Sequence, residues 1–107
     1  MESVKTKLGH TRLKLNREGF LQDPGLWNRE TARLLAKREG IVRLTEMHWV
    51  VINYIRDFYL ENSIAPMVRK ICKISGLRLK VLYEMFPRGL AKSACKIAGL
   101  PDSRGCI

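Results

Sequence analysis

Hydrophobic positions recur at spacings of three and four between residues 47 and 58: Met47, Val50, Val51, Tyr54, Ile55 and Phe58. That period predicts an amphipathic helix, the longest and most apolar in the chain and its central element. Thr45 stands at the N-cap, with Glu46 beside it. Upstream, Thr11–Leu15 alternates, Asn16–Gly19 reads as a turn, and Phe20-Leu21 begins a return strand. Asp23–Gly25 punctuates the chain, and Asn28 caps a helix to about Arg38, anchored by Leu34 and Leu35 and ended by Gly40.

Downstream, Asn62–Pro66 breaks the chain, and Pro66 favours a new helix from about Met67 to Ser75. Val68, Ile71, Cys72 and Ile74 are its apolar positions. Gly76 is a turn. Leu79, Leu82, Tyr83 and Phe86 repeat as the next helix, and Pro87–Gly89 resets the chain before a short alanine-rich helix around Cys95. Gly99 ends that helix, and Pro101 cannot continue it. The expected architecture is mainly α: a bundle of about five helices with a short N-terminal β-hairpin and a flexible C-terminal arm. It forms one domain over residues 1–107, with a tail at 1–10, a hairpin at 11–22, the bundle at 28–99 and the arm at 100–107.

Composition fits one small domain. The chain has 107 residues, 46% of them hydrophobic. No apolar run approaches the roughly 18 residues of a membrane span, because Asn53, Arg56 and Asp57 interrupt the central helix. The first residues have no apolar signal core, so the expected location is the cytoplasm, without direct membrane insertion. The formal net charge is +10 and uneven. Residues 1–61 carry eleven Lys/Arg against eight Asp/Glu; residues 62–107 carry nine against two. A basic C-terminal half implies an acidic partner surface, an anionic substrate or nucleic acid.

Three cysteines in a reducing compartment read as buried or reactive thiols, not as a disulfide framework. Cys72 lies on an apolar helix face and reads as a packing residue. Cys95 and Cys106 carry the candidate chemistry. Cys95 sits on a helix between Lys92 and Lys96, with Arg88 and Arg104 also near in sequence, and cations favour a thiolate. Cys106 is the penultimate residue of the sequence. From Gly99 the arm to Cys106 is seven residues, at most about 25 Å extended. Cys95 lies about 6 Å back along the helix. The arm can fold back on Cys95 or swing out to a partner, with Gly99, Pro101 and Gly105 as its hinge and arm positions. Small residues at Ala91 and Ala98 would leave room for it. One fixed and one mobile thiol suit sulfur transfer or thiol–disulfide switching.

Residues 67–86 also have helix–turn–helix spacing around Gly76, which would bring Arg78 and Lys80 near a DNA backbone. His48 reads as a surface or capping group. The histidines and cysteines have no zinc spacing, and no phosphate loop or nucleophile–base motif is present.

The run Ala91–Pro101 (AKSACKIAGLP) and the final Gly105-Cys106-Ile107 resemble the DsrC/TusE family, the gamma subunit of dissimilatory sulfite reductase. The resemblance extends through Glu18–Leu21, Leu26–Asn28, Glu46–Trp49, Ile64–Arg69 and Tyr83–Pro87, covering roughly residues 8–107. In that family the terminal cysteine alone marks the tRNA-thiolation type; both cysteines mark the type serving sulfite reductase and sulfur oxidation.

The resemblance implies a sulfur-carrying protein cosubstrate rather than an independent enzyme. Cys106 would enter a siroheme sulfite reductase and take up sulfur as a persulfide, and Cys95 would resolve it to a disulfide or trisulfide. A membrane-associated thiol/trisulfide reductase complex would restore the thiols, and sulfurtransferase persulfide donors could reverse the flow. The chain would need no cofactor of its own; siroheme and iron–sulfur clusters would belong to the partner. The alternatives are a basic DNA-binding regulator and a sulfur relay to a tRNA-modifying enzyme. The chain departs from the family pattern at Leu90, where relatives commonly have proline. It departs again in the arm, where Ser103 and its neighbours replace a second proline and free the backbone.

Overall fold

The computed structural model describes residues 2–5, 12–89, 93–102 and 104. In chain order the elements are β1 (Glu2–Lys5), β2 (Arg12–Leu15), a 3-10 turn (Pro24–Leu26), α1 (Arg29–Arg38), α2 (Glu46–Asn62), α3 (Val68–Ser75), α4 (Leu79–Met85) and α5 (Cys95–Ile97). A mainly helical fold with five helices and an N-terminal strand pair is the architecture the sequence predicts.

The strand pairing differs from expectation. β2 pairs antiparallel with β1, which precedes it, in the register Glu2↔Leu15 to Lys5↔Arg12. The return segment joins only through a bridge between Leu15 and Leu21. Asn16–Gly19 is a turn as expected. The Asn16 side chain accepts from the amides of Glu18 and Phe20, and Gln22 N–H donates to the Lys14 carbonyl. Asn16 thus reverses the chain with local bonds, but Asp23 opens the 3-10 turn before the return can lengthen. β1 then supplies the partner that β2 lacks. Six residues separate the two strands, too long a link for the two-residue turn that marks a tight hairpin in sequence.

The helix starts are local and legible. Asn28 Oδ1 accepts from Thr31 N–H at 2.9 Å and caps α1. Thr45 and His48 form a reciprocal capping box on α2. His48 Nδ1 accepts from Thr45 N–H at 3.1 Å, while His48 Nε2 lies 2.9 Å from the Met85 carbonyl. A carbonyl can only accept, so Nε2 carries the proton and Nδ1 is the acceptor. The ring stands edge-on to Phe86 at 5.1 Å and ties α2 to the end of α4. Replacing His48 with phenylalanine is expected to cost about 1–3 kcal/mol in urea unfolding, because the Thr45 amide and the Met85 carbonyl lose their partner. His48→Gln, which keeps an acceptor at the third helical position, should lose less.

The buried face of α2 is rotated from the predicted stripe. His48, Val51, Ile52 and Ile55 are buried, whereas Val50 is 42% exposed. The core joins these to Leu15, Phe20, Leu21, Leu35, Ile71, Leu82 and Phe86. Cys72 is half-buried against that core, and Ile74, expected on its helix's apolar face, is exposed. Rotating α2 this way turns Arg56 toward the last helix. α5 packs on both α1 and α2, and α3 packs on α2. The cysteine-bearing turn is therefore held between the two longest helices.

Candidate functional site

Cys95 opens α5, directly after a π-helical turn at Ser93–Ala94. Such wide turns recur at functional sites. Its side chain is 0% exposed, as are Ala94, Ile97, Ala98 and Leu100 around it. The small position at Ala98 is packed rather than left open for the arm, and Ala91 lies outside the described residues. Among the described residues, the fully buried Ser93 hydroxyl meets no hydrogen-bond partner.

The end of α5 is closed in full. Gly99 takes a φ of +80°. Its amide donates to Lys96 O at 3.0 Å, and the Leu100 amide donates to Cys95 O at 3.1 Å. These two bonds make a Schellman stop. Two carbonyls remain, and side chains from elsewhere take them. Trp27 Nε1 donates to Ile97 O at 2.7 Å, and Arg56 Nη1 donates to Ala98 O at 3.1 Å. The Arg56 guanidinium also stacks over the Trp27 ring, 4.3 Å from its centroid. Burial lowers the Arg56 pKa from its ordinary value, with Asp57 and Tyr59 pulling it back up; an arginine so placed remains a cation.

Two contacts dock the arm's base. Gln22 Nε2 donates to Pro101 O at 3.2 Å, and the Ala65 amide donates to Arg104 O at 2.7 Å. Arg104 also pairs with Asp102 at 3.1 Å in the open. The tether is thus held at Pro101 and at Arg104, and in the sequence only Gly105 separates that last anchored residue from Cys106. Cys106 and Gly105, together with Lys92, lie outside the described residues.

The remaining expected cations have partners of their own. Lys96 Nζ lies 3.5 Å from Glu39 Oε2 in a largely buried pair and above the Phe20 ring at 5.4 Å. Arg88 Nη1 donates to the Arg38 carbonyl at 3.1 Å. Both reach a cavity of about 420 Å³ that is also walled by Asn16–Gly19, Arg38 and Glu39. Sequence spacing brought Arg88 and Lys96 to attention; Trp27, Arg56, Glu39, Gln22 and Ala65 escaped it.

α3 and α4 are joined through Gly76 at φ +73°, and Arg78 and Lys80 are exposed at the start of α4. The second helix has only 7 residues. Among the described residues no three His, Cys, Asp or Glu side chains gather as a metal site, and no helix is long and apolar enough to cross a membrane.

Fold and site together define a small helical domain with a buried cysteine and a C-terminal segment anchored at Pro101 and Arg104. The family of DsrC like proteins matches residues 7–107, and the chain belongs to that family. It is 40% identical over 94 residues to the gamma subunit of dissimilatory-type sulfite reductase from Nitratidesulfovibrio vulgaris, covering 88% of this chain and 90% of that one. It is 37% identical over 102 residues to the sulfurtransferase TusE of Escherichia coli K12, covering 89% and 93%. The crystal structure of the oxidized gamma subunit (DsrC) from Archaeoglobus fulgidus superposes with a TM-score of 0.87 at 39% identity, over 99% of this chain and 100% of that one. These likenesses favour sulfur transfer over the DNA-binding alternative.

Proposed function

We propose that this chain is a cytoplasmic sulfur carrier, a protein cosubstrate that takes sulfur on Cys106 and resolves it with Cys95. The observation that carries this is the second cysteine. Cys95 stands eleven residues before Cys106, in a domain that is similar along its length to sulfite reductase gamma subunits. Its complete burial suits a thiol that meets its own arm and not bulk reagents.

The chemistry needs no cofactor from the chain. The Cys106 thiolate attacks a sulfane sulfur and becomes a persulfide, and the donor's shortened sulfur chain leaves. Cys95 then attacks the inner sulfur of that persulfide. A Cys95–Cys106 disulfide forms, the outer S–S bond breaks, and hydrosulfide leaves with the thiol proton. An external dithiol reductant, such as a membrane-associated reductase complex, returns both cysteines to thiols. The partner that hands over or receives sulfur is a siroheme sulfite reductase or a sulfurtransferase, and siroheme and iron–sulfur centres remain with it. The basic C-terminal half suits an acidic docking surface.

Intact-mass spectrometry after exposure to inorganic polysulfide tests the carrier role. The chain should gain about 32 Da, one sulfur atom, mapped to Cys106, and Cys106→Ser should gain none there. An unmodified Cys106 under conditions that load other thiols would end the proposal. Relay to tRNA thiolation is the second possibility, favoured by the similarity to TusE. In that case Cys95→Ala would keep full transfer to the next acceptor.

A further inference from the structure

Gly99 approaches Trp27 and Arg56 too closely for any side chain. A Cβ built on it would meet Trp27 Cγ at 2.8 Å and Arg56 Nη1 at 2.9 Å. The same two residues donate to the Ile97 and Ala98 carbonyls. Together with the backbone bonds from Gly99 and Leu100, they give the three carbonyls of α5 and that of its cap residue Ala98 each a donor.

Helix ends leave four carbonyls without intrahelical donors, and water usually serves those near a surface. Here both side-chain donors come from distant parts of the chain, the segment before α1 and the middle of α2. Each is rigid: one is a fused ring and the other a planar guanidinium, and they stack on each other. Arg56 is partly desolvated to reach its carbonyl, which costs free energy that a water molecule in its place would not. A three-residue helix has little stability of its own, so its orientation is set by what grips its end.

We infer that Trp27 and Arg56 are positioning residues: a clamp that fixes the Cys95 turn and the arm's point of departure in the geometry for attack on the Cys106 persulfide. The role presupposes the Cys95–Cys106 chemistry proposed above and deepens it. The clamp touches neither reacting sulfur. It acts through the α5 backbone, by holding Cys95 and the root of the arm in one rigid frame at Gly99. Intramolecular attack depends steeply on such placement, so a displacement of about 1 Å can cost up to about a hundredfold in rate. Loading of Cys106 by a small donor demands no such frame.

The test separates loading from resolution. Trp27→Phe keeps an aromatic ring but removes the indole donor. Arg56→Lys keeps a cation, and Arg56→Ala keeps neither charge nor stacking. Each variant is loaded with inorganic polysulfide, and hydrosulfide release is then followed in a single turnover. Loading at Cys106 should match the parent chain in all three. Release should slow at least about tenfold in Trp27→Phe and Arg56→Ala, with Arg56→Lys between Arg56→Ala and the parent. Ile71→Val, in the core away from the turn, serves as a control of reduced stability and should release hydrosulfide at the parent rate. Release within about twofold of the parent in both Trp27→Phe and Arg56→Ala would overturn the clamp. Equal slowing in Ile71→Val would overturn it too, since stability alone would then explain the effect. Should Trp27→Phe fail to fold, the ordering of Arg56→Lys and Arg56→Ala decides. Absence of loading in the parent chain would remove the carrier reading and the clamp's role with it; normal loading with unchanged release would remove the clamp alone.

Discussion

A Cys95→Ser chain is expected to take up one sulfur at Cys106 and then stop. The persulfide should accumulate, with no intramolecular disulfide and no matching release of hydrosulfide, because a serine hydroxyl is not ionised near neutral pH and cannot displace hydrosulfide. The change is nearly isosteric, so the turn keeps its backbone bonds. The cost is a buried hydroxyl where the site is 0% exposed, about 1–3 kcal/mol of stability if it finds no acceptor. Mass spectrometry under non-reducing conditions reads the outcome directly. The parent chain passes through the persulfide to a disulfide about 2 Da lighter than the dithiol, while the variant remains about 32 Da heavier than its own unloaded form. A Cys95→Ser chain that released hydrosulfide as fast as the parent would show that Cys95 is a packing residue and that another thiol resolves the persulfide.

Gly99→Ala should be the most damaging single change to the fold of the site. An L-residue at φ +80° costs about 1–2 kcal/mol. The methyl group would also enter the space of Trp27 and Arg56, and overpacking of that kind costs about 1–3 kcal/mol more. The sum is roughly 2–5 kcal/mol, a large share of the stability of a domain this size, and melting should fall by roughly 10–20 °C. The strain has a direction: relief requires the ring and guanidinium to leave the Ile97 and Ala98 carbonyls. Gly99→Ala should therefore slow resolution as well as lower melting. A melting temperature unchanged within error would mean that the clamp is loose enough to absorb a methyl group.

The sequence was most legible where structure is decided locally. Asn28 and Thr45 cap α1 and α2 by bonds spanning three residues, and Gly99 turns left-handed in its own backbone. The helices consequently begin and end close to where the pattern puts them. Faces and pairings were harder, because they depend on what lies opposite. Val50 repeats with the apolar stripe of α2 yet is exposed, while Ile52, outside that stripe, is fully buried. β2 finds its partner in Glu2–Lys5, across a six-residue link without a two-residue hairpin motif.

The site divides the same way. Cys95, Cys106 and the stop at Gly99 follow from residue type and spacing. Trp27 and Arg56 do not, since their partners lie 70 and 42 residues away. One signal was present in the sequence. Arg56 follows Ile52 by four residues and Ile55 by one, on the face of α2 that is buried. A cation there needs a partner inside the fold, and it marks more than a break in hydrophobicity. The arm's length was legible too, but its docking was not. The bond from the Ala65 amide to the Arg104 carbonyl joins two backbones and leaves no trace in side-chain chemistry.

The central claim is that the two cysteines divide sulfur transfer between them, Cys106 loading and Cys95 resolving. A time course of intact mass on the reduced parent chain mixed with one equivalent of inorganic polysulfide, with hydrosulfide measured in parallel, tests it most directly. The predicted sequence is a transient species about 32 Da heavier, formed as the donor's shortened sulfur chain leaves, then a species about 2 Da lighter than the starting dithiol, with one hydrosulfide per chain released in that second step. Direct appearance of the lighter species without the heavier one, or a heavier species mapped to Cys95 instead of Cys106, would contradict the account.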